Sequence, residues 1–474
     1  MQIKFLGGAG EVGASCILIE TEDRHGRPVG LMLDCGIRPG VENDKQLPVL
    51  AGLREACPLK GIFITHAHLD HTGAVPYLLK LYPDIPVYCT RPTRDIMDVL
   101  LTDSARIMVM DANSSPLYTE ADVRYAMDRV RVVEFNTQIR IAPGINIRMM
   151  QAGHILGASA ILVEIHGTRI LYTGDYSTQS MKTVGPQMFT RFVTSPDILI
   201  TEGTYGDSVN PSGNTEMDML ADALRQTTEA GGKVLIPAFS VGRSQELLLM
   251  LRMRRLDAPV YVDGMIQTIN LIHEANPEFL HPSLRTRAAG ESMFSSGTFY
   301  QVCSRQQRSA ILECNEPCII LSSGGMLSGG TSSLYAGHIL QDEKSMIALV
   351  GHQDPCTPGG RLLDMAVSEA GCTGRDIPDR VVDIGGSIYP VRCRVEKYNF
   401  SAHADRNGIL SIVETLHPST VFLVHGEASI LQKLAALLKS NGSDALIPYA
   451  GDCFQINEQN YRQLAVNSKA VLLP

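Results

Sequence analysis

Six consecutive residues, His66-Ala67-His68-Leu69-Asp70-His71, carry four side chains able to bind a metal ion. Imidazole nitrogen suits zinc and similar ions, and a hard carboxylate beside it suits a second ion or a metal-bound water. The run Gly61–Thr65 ahead of them reads as a strand, and the residues after them as a helix. On an extended strand end His66 and His68 point the same way and can share one ion. The turn into the helix redirects Asp70 and His71 toward a neighbouring position. Two ions need more donors than this segment supplies. His154, in Gly153-His154-Ile155-Leu156-Gly157, and Asp175, in Thr173-Gly174-Asp175-Tyr176, each stand beside glycine at a strand end. His425 closes the apolar run Thr420–Val424. An aspartate can bridge two ions, which in two-metal hydrolases lie roughly 3.5–4 Å apart. A single histidine after a strand is more often structural, so these three take their meaning from the cluster at 66–71.

A second pattern points elsewhere and fails. Gly8-Ala9-Gly10-Glu11-Val12-Gly13 fits the dinucleotide-binding GxGxxG fingerprint, with Asp34 further on. That fingerprint requires its last glycine to open a helix whose N-terminus seats a pyrophosphate. Here Ser15–Glu20 is strand-like and Asp23–Pro28 a turn, so the segment reads as a strand–turn–strand hairpin.

Short strands ending on polar residues occupy the first 65 positions and return at Gly144–Met150, Ala160–Ile165, Arg169–Thr173 and Ile198–Thr201. Helical periodicity marks 72–81 and 94–111. From residue 206 the units lengthen. A helix over Asn214–Ala230, the strand Val234–Pro237 and a helix over Ser244–Arg255 lead to Val260–Val262, Cys318–Ser322 and Met346–Val350, which read as buried parallel strands. The last stretch returns to short strands and one strong helix, Ile430–Ser440. The organisation expected is 1–205, an inserted α/β domain over 206–394, and 395–474 completing the first domain.

A length of 474 residues predicts two or three folded units. Fifty acidic against 41 basic side chains, net −9, exclude a histone-like or coat-like polyanion binder and leave room only for a local basic groove. No apolar run reaches the ~18–20 residues needed to span a bilayer, and the N-terminus has no secretory signal. Eleven scattered cysteines without a CxxC pair read as reduced thiols of a soluble cytoplasmic enzyme with no membrane partner.

Taken together, HAHLDH, His154 and Asp175 make the chain resemble the metallo-β-lactamase superfamily. Within it the chain is similar to the β-CASP nucleases, which include bacterial RNases and the cleavage nuclease of mRNA 3′-end processing. The resemblance runs over nearly the whole sequence. It includes GGAGEVGAS at 7–15, LMLDCG at 31–36, TEGTYG at 201–206, IPAFSVGR at 236–243, FSAHAD at 400–405 and LVHGE at 423–427. It implies an α/β fold: a metallo-β-lactamase αββα sandwich with an inserted β-CASP domain. It implies two zinc ions, with manganese as a substitute. His66, His68 and His154 would hold one ion, Asp70, His71 and His425 the other, with Asp175 and a hydroxide bridging them. Asp34 would support the metal loop from behind. Glu202 and His403 match the group's added acidic and histidine motifs. The implied reaction is in-line attack of hydroxide on a phosphodiester, with the leaving 3′ oxygen protonated by His403, which Glu202 holds and keeps protonated.

Arg243, Ser323 and Arg361 are the expected substrate contacts, each near a strand end or helix start of the insertion. Members of the group commonly have two arginines where this chain has Gly360-Arg361, and His352 stands where an aromatic residue is frequent. These departures bear on substrate grip and leave the metal residues untouched. The resemblance implies single-stranded RNA as substrate, because His425 matches the histidine of RNA-processing members. A DNA nuclease and a non-catalytic scaffold partner of a processing complex are the alternatives. The resemblance implies internal cutting, trimming from a 5′ end, or both. With no separate RNA-binding module recognisable, recruitment is expected to use a homodimer or a processing complex.

Overall fold

The computed structural model describes residues 1–41, 43–51, 53, 57–110, 115–254, 256–285, 292–295, 297–371, 380–457 and 460–464. Two compact units emerge from the contacts. The first comprises Met1–Ser180, Val184–Val209 and His403–Pro474, the second Met181–Thr183 and Asn210–Ala402. The sequence boundaries were expected after 205 and 394. Strand Arg394–Lys397 pairs in parallel with Met346–Leu349, which draws residues beyond 394 into the inserted unit.

In the first unit two sheets face one another across a single core. One runs, in spatial order, through Asn460–Leu464, Cys453–Asn457, Gln2–Gly7, Cys16–Glu22, Pro28–Leu33, Leu59–Phe63, Val87–Cys89 and Val130–Val132. The other runs through Ala445–Leu446, Thr420–Val424, Ile198–Glu202, Thr168–Tyr172, Ser159–Ile165, Ile145–Gln151 and Gln138–Ala142. Period-2 alternation explains the pairing: Ile3, Phe5, Ile17, Ile19, Leu31 and Leu33 of the first sheet share a core with Ile145, Ile147, Met149, Ile161 and Val163 of the second. Each such side chain contributes about 1.5–3 kcal/mol by leaving water. The glycine-rich segment after Gln2–Gly7 turns directly into its antiparallel partner Cys16–Glu22, with no helix between. That is the hairpin expected from the sequence.

The C-terminal part departs from expectation. Besides Ala428–Ser440 it contains a second helix, Arg406–Leu416. Asn407-Gly408 resembles a turn dipeptide, which hides this helix in the sequence. The structure shows why the glycine is tolerated. Asp405 caps the helix by accepting the Gly408 amide at 2.8 Å, and a Cβ at Gly408 would lie 2.6 Å from the Thr178 hydroxyl.

The second unit is built on a parallel sheet ordered Phe299–Val302, Val260–Asp263, Ile319–Ser323, Val234–Ala238, Met346–Leu349 and Arg394–Lys397. Its central strands Ile319–Ser323, Val234–Ala238 and Met346–Leu349 are wholly buried, as parallel strands covered by helices require. His273, on the helix Ile266–Ala275, is fully buried; one ring nitrogen meets the Ile269 carbonyl at 2.9 Å and the other has no hydrogen-bond partner among the described residues. Burial holds its imidazole down at about 4. The unfolded chain therefore takes up a proton near pH 6.5 that the folded chain refuses until about pH 4. Stability is full above pH 6.5 and falls by up to about 3 kcal/mol as pH drops toward 4. Calorimetry of the full chain at pH 7 and pH 5 should show this unit's transition moving down, and His273→Leu should flatten the shift.

No helix among the described residues is long and apolar enough to cross a membrane.

Candidate metal centre

The metal-binding candidates all lie in the first unit, most of them just beyond strand ends and Asp70 and His71 on the short helix Leu69–Thr72. His66 follows Leu59–Phe63, His154 follows Ile145–Gln151, Asp175 follows Thr168–Tyr172 and His425 follows Thr420–Val424. Among the described residues three overlapping groups of possible donors meet at Asp175: one is Asp175 with Glu202 and His403, and the other two are donor sets richer in histidine. His66, His68, His154 and Asp175 make one, and Asp70, His71, Asp175 and His425 the other. In each, the donor atoms lie within 4.8 Å of one another. His68 Nδ1 is 3.1 Å from His66 Nε2 and 3.3 Å from His154 Nε2. Asp175 Oδ2 is 3.6 Å from His66 Nε2 and 3.8 Å from His154 Nε2. Its other oxygen turns to the second set: Oδ1 is 3.5 Å from His71 Nε2 and 3.3 Å from His425 Nδ1. Asp70 Oδ2 lies 3.1 Å from His425 Nε2 and 3.8 Å from His71 Nε2.

These residues fit metal binding. Three ring nitrogens converging with a carboxylate is a zinc donor set. Asp175 Oδ1 is buried and has no hydrogen-bond partner among the described residues, which is costly for a carboxylate unless a cation meets it. Protonation states agree in the first set, while the neighbouring carboxylates raise His71 and His425 despite their burial. Burial, reinforced by the His71 charge, pushes the His66 imidazole well below its usual range, and burial lowers His68 too, so both ring nitrogens can be neutral donors. Burial would raise the Asp175 carboxyl, but the His425 and His71 charges beside it hold it well below the carboxylate range. Asp70 is lowered likewise, its burial outweighed by His71 and His425.

Behind the donors, backbone and outer side chains hold the geometry. Asp34, at a positive φ of 56°, accepts the Thr65 amide at 2.7 Å on one oxygen. Its other oxygen meets His71 Nδ1 at 2.8 Å, the Thr65 hydroxyl at 2.8 Å and the Tyr172 hydroxyl at 2.9 Å. It belongs to neither donor set and orients His71 from behind. The helical turn Leu69–Thr72 is bound from the other side by Ser15, Cys35 and Ile37 amides at 2.9–3.0 Å. A Cβ at Gly36 would stand 1.7 Å from the Asp70 carbonyl oxygen, so only glycine lets this turn approach.

Beside the donors stands a carboxylate–imidazole pair. His403 Nδ1 is 2.8 Å from Glu202 Oε2, and Glu202 Oε1 accepts the Tyr176 amide at 2.8 Å. His403 Nδ1 is also 3.8 Å from Asp175 Oδ2. Burial presses the His403 imidazole down, but the Glu202 charge and hydrogen bond overcome it and raise it to about 9. Tyr205 packs its ring 5.9 Å from that of His403. Sequence reasoning missed Thr65, Tyr172 and Thr204 as members of this centre. Each adjoins or lies inside a quoted motif, and only that adjacency could have marked them.

Arg243, Ser323 and Arg361 belong to the second unit and to none of these sets. Within that unit they share the edge at the C-terminal ends of the parallel strands. Arg243 opens the helix Arg243–Met253 after Val234–Ala238, with its guanidinium carbon 5.8 Å from the Phe400 ring. Ser323 ends Ile319–Ser323, its hydroxyl 3.1 Å from that of Thr331. Arg361 is exposed on the helix Pro358–Gly371. This is the edge at which open parallel sheets bind ligands.

Three domain models and several known proteins match this chain. A beta-lactamase superfamily domain model matches residues 31–238, a Beta-Casp domain model 244–362, and a Zn-dependent metallo-hydrolase RNA specificity domain model 388–448. Transcription termination factor FttA of Methanocaldococcus jannaschii is 36% identical over 444 residues, covering 90% of this chain and 67% of that protein. The factor of the same name from Methanococcus maripaludis is 34% identical over 452 residues, 92% of this chain and 68% of that one. The chain thus spans about two thirds of the length of these relatives. A crystal structure of a protein of unknown function from Enterococcus faecalis V583 superposes with a TM-score of 0.57 at 13% identity, over 95% of this chain and 99% of that one, a likeness of fold.

Proposed function

The chain belongs to the β-CASP group of the metallo-β-lactamase superfamily, an αββα sandwich with an inserted α/β domain, and from that membership we propose that it hydrolyses phosphodiester bonds in single-stranded RNA. The observation that carries the reading is the meeting of three groups at Asp175: the two donor sets and the His403–Glu202 pair, whose ligating atoms lie within 4.8 Å of that carboxylate.

Two zinc ions, or manganese in their place, would be held by His66, His68 and His154 on one side, by Asp70, His71 and His425 on the other, and by Asp175 between. When bound they supply Lewis acidity and water activation at neutral pH. The remaining chemistry falls to the chain. Glu202 fixes the His403 ring through Nδ1, leaving Nε2 to deliver a proton to the departing 3′ oxygen. Asp34 keeps the His71 proton on Nδ1, so Nε2 stays a lone-pair donor. Arg243, Ser323 and Arg361 are the residues of the inserted domain that would grip the phosphate backbone.

Two things favour RNA over DNA. The model described by RNA specificity covers both His403 and His425, and the relatives are named transcription termination factors, a setting in which a single-stranded transcript is at hand. A cytoplasmic enzyme acting as a homodimer or within a processing complex, by internal cutting or 5′ trimming, follows from the same reading.

The test is cleavage of end-labelled RNA and DNA of one single-stranded sequence by the zinc-loaded protein and by Asp70→Ala. RNA alone should be cut, and Asp70→Ala should be inactive with one ion lost, since Asp70 Oδ2 faces both His71 and His425. Equal cutting of DNA would establish the DNA nuclease instead. Two bound ions without cleavage of either strand would sink the nuclease reading.

A further inference from the structure

We propose that the Thr204 hydroxyl is a positioning group that joins the His403–Glu202 pair to His425 and fixes which nitrogen of His425 carries its proton. The inference rests on the nuclease reading and gives a part to a residue so far only placed in the centre. Its basis is one oxygen with three partners: Thr204 Oγ1 lies 2.6 Å from Glu202 Oε2, 3.1 Å from His425 Nδ1 and 3.0 Å from the His425 carbonyl oxygen.

A hydroxyl has one proton and two lone pairs. The 2.6 Å contact to the Glu202 carboxylate has the length of a charge-assisted O–H···O bond, and the neutral carbonyl at 3.0 Å competes weakly for the same proton. With its proton on Glu202, Oγ1 can only accept from the imidazole. His425 therefore carries a proton on Nδ1, and Nε2, 3.1 Å from Asp70 Oδ2, is the nitrogen that would turn its lone pair to an ion held with Asp70. Asp175 Oδ1 is 3.3 Å from Nδ1 but makes no hydrogen bond among the described residues, so Thr204 is the better-placed acceptor.

This mirrors Asp34 at His71, with one difference. Asp34 serves as an acceptor, whereas Thr204 accepts from one histidine while donating to the carboxylate that holds another. Glu202 Oε2 receives both the Thr204 hydroxyl and His403 Nδ1–H, which pins the carboxylate in the orientation His403 needs. A carboxylate at 204 would repel Glu202. Only a hydroxyl can face an acceptor and a donor together at this point. Its backbone supports the arrangement: the His425 amide is anchored on the Gly8 carbonyl at 2.6 Å, and the Gly203 amide donates to the Val424 carbonyl at 2.9 Å.

Thr204→Val keeps the shape and removes the hydroxyl; Thr204→Ser keeps the hydroxyl and removes the methyl. Both are made in the full chain, loaded with zinc, and compared by ions retained against a chelator and by steady-state RNA cleavage. Loss of an outer partner of a metal-binding histidine typically costs about 10–100-fold in metal affinity or activity. We expect Thr204→Val to give up one of its two ions at least ten-fold more readily than wild type and to lose kcat by a similar factor with KM unchanged. Thr204→Ser should restore both. Wild-type ion retention and kcat in Thr204→Val overturn the inference, as does a Thr204→Ser as defective as the valine, which would assign the role to the methyl. Ion retention is read without turnover. It therefore tests Thr204 even if Asp70→Ala and His403→Ala were to leave cleavage intact and remove the nuclease reading.

Discussion

His403→Ala in the zinc-loaded protein is expected to slow cleavage of single-stranded RNA by about 10²–10⁴-fold, the usual worth of a positioned general acid, while both ions stay bound. His403 lies outside the two donor sets built on His66, His68, His154, Asp70, His71 and His425, so its removal should not disturb them. His403 Nδ1 lies 2.8 Å from Glu202 Oε2 and 3.8 Å from Asp175 Oδ2, and the His403–Glu202 pair belongs to neither of those two sets. A proton donor has a signature that a structural histidine lacks. If the bridging 3′ oxygen of the substrate is replaced by sulfur, the leaving group departs without protonation, and the defect of His403→Ala should shrink toward wild type. A defect of equal size with oxygen and sulfur would remove His403 from the proton-transfer step. Loss of an ion together with activity would instead place it among the ligands.

Asp175→Ala should have the larger effect on the metals. One oxygen of this carboxylate faces His66 and His154, the other His71 and His425, so a single truncation strips a donor from both sets. The expected outcome is a fall from two ions per chain to fewer than one by elemental analysis, with cleavage undetectable at any zinc concentration that leaves the protein soluble. Asp70→Ala touches only the second set and should leave the first ion in place. The contrast between the two variants is the informative result. If Asp175→Ala retained both ions, the shared-carboxylate reading would be wrong, and the two sets would have to be independent.

Much of the centre was legible from residue types alone. Metal coordination admits few side chains, so four donors in the six residues 66–71 announce it without reference to a fold. His154, Asp175 and His425 were visible because each stands at the end of an apolar run, where a strand stops and a side chain can reach out of the sheet. The same local logic separated the glycine-rich segment 7–13 from a nucleotide site, since the strand after it left no helix to seat a phosphate. Thr204 was not legible. Its partner His425 is 221 positions away, and nothing in the type or spacing of a threonine says that a histidine and a glutamate will close around its hydroxyl. The helix Arg406–Leu416 was hidden for a related reason: Gly408 weakens the local signal, and its place is set by the Thr178 hydroxyl packed against it.

By itself, then, the amino-acid sequence determined the donor chemistry, the strand ends that carry it and the α/β character of the insertion, because coordination preference and hydrophobic period are properties of neighbouring residues. Only the tertiary structure decided that the two oxygens of Asp175 face different donor sets, that Asp34 stands behind His71 as Thr204 stands behind His425, and that residues as far as Ala402 join the inserted unit. Those are matters of direction at a scale of a few ångströms, and direction is settled when distant strands are packed into one core.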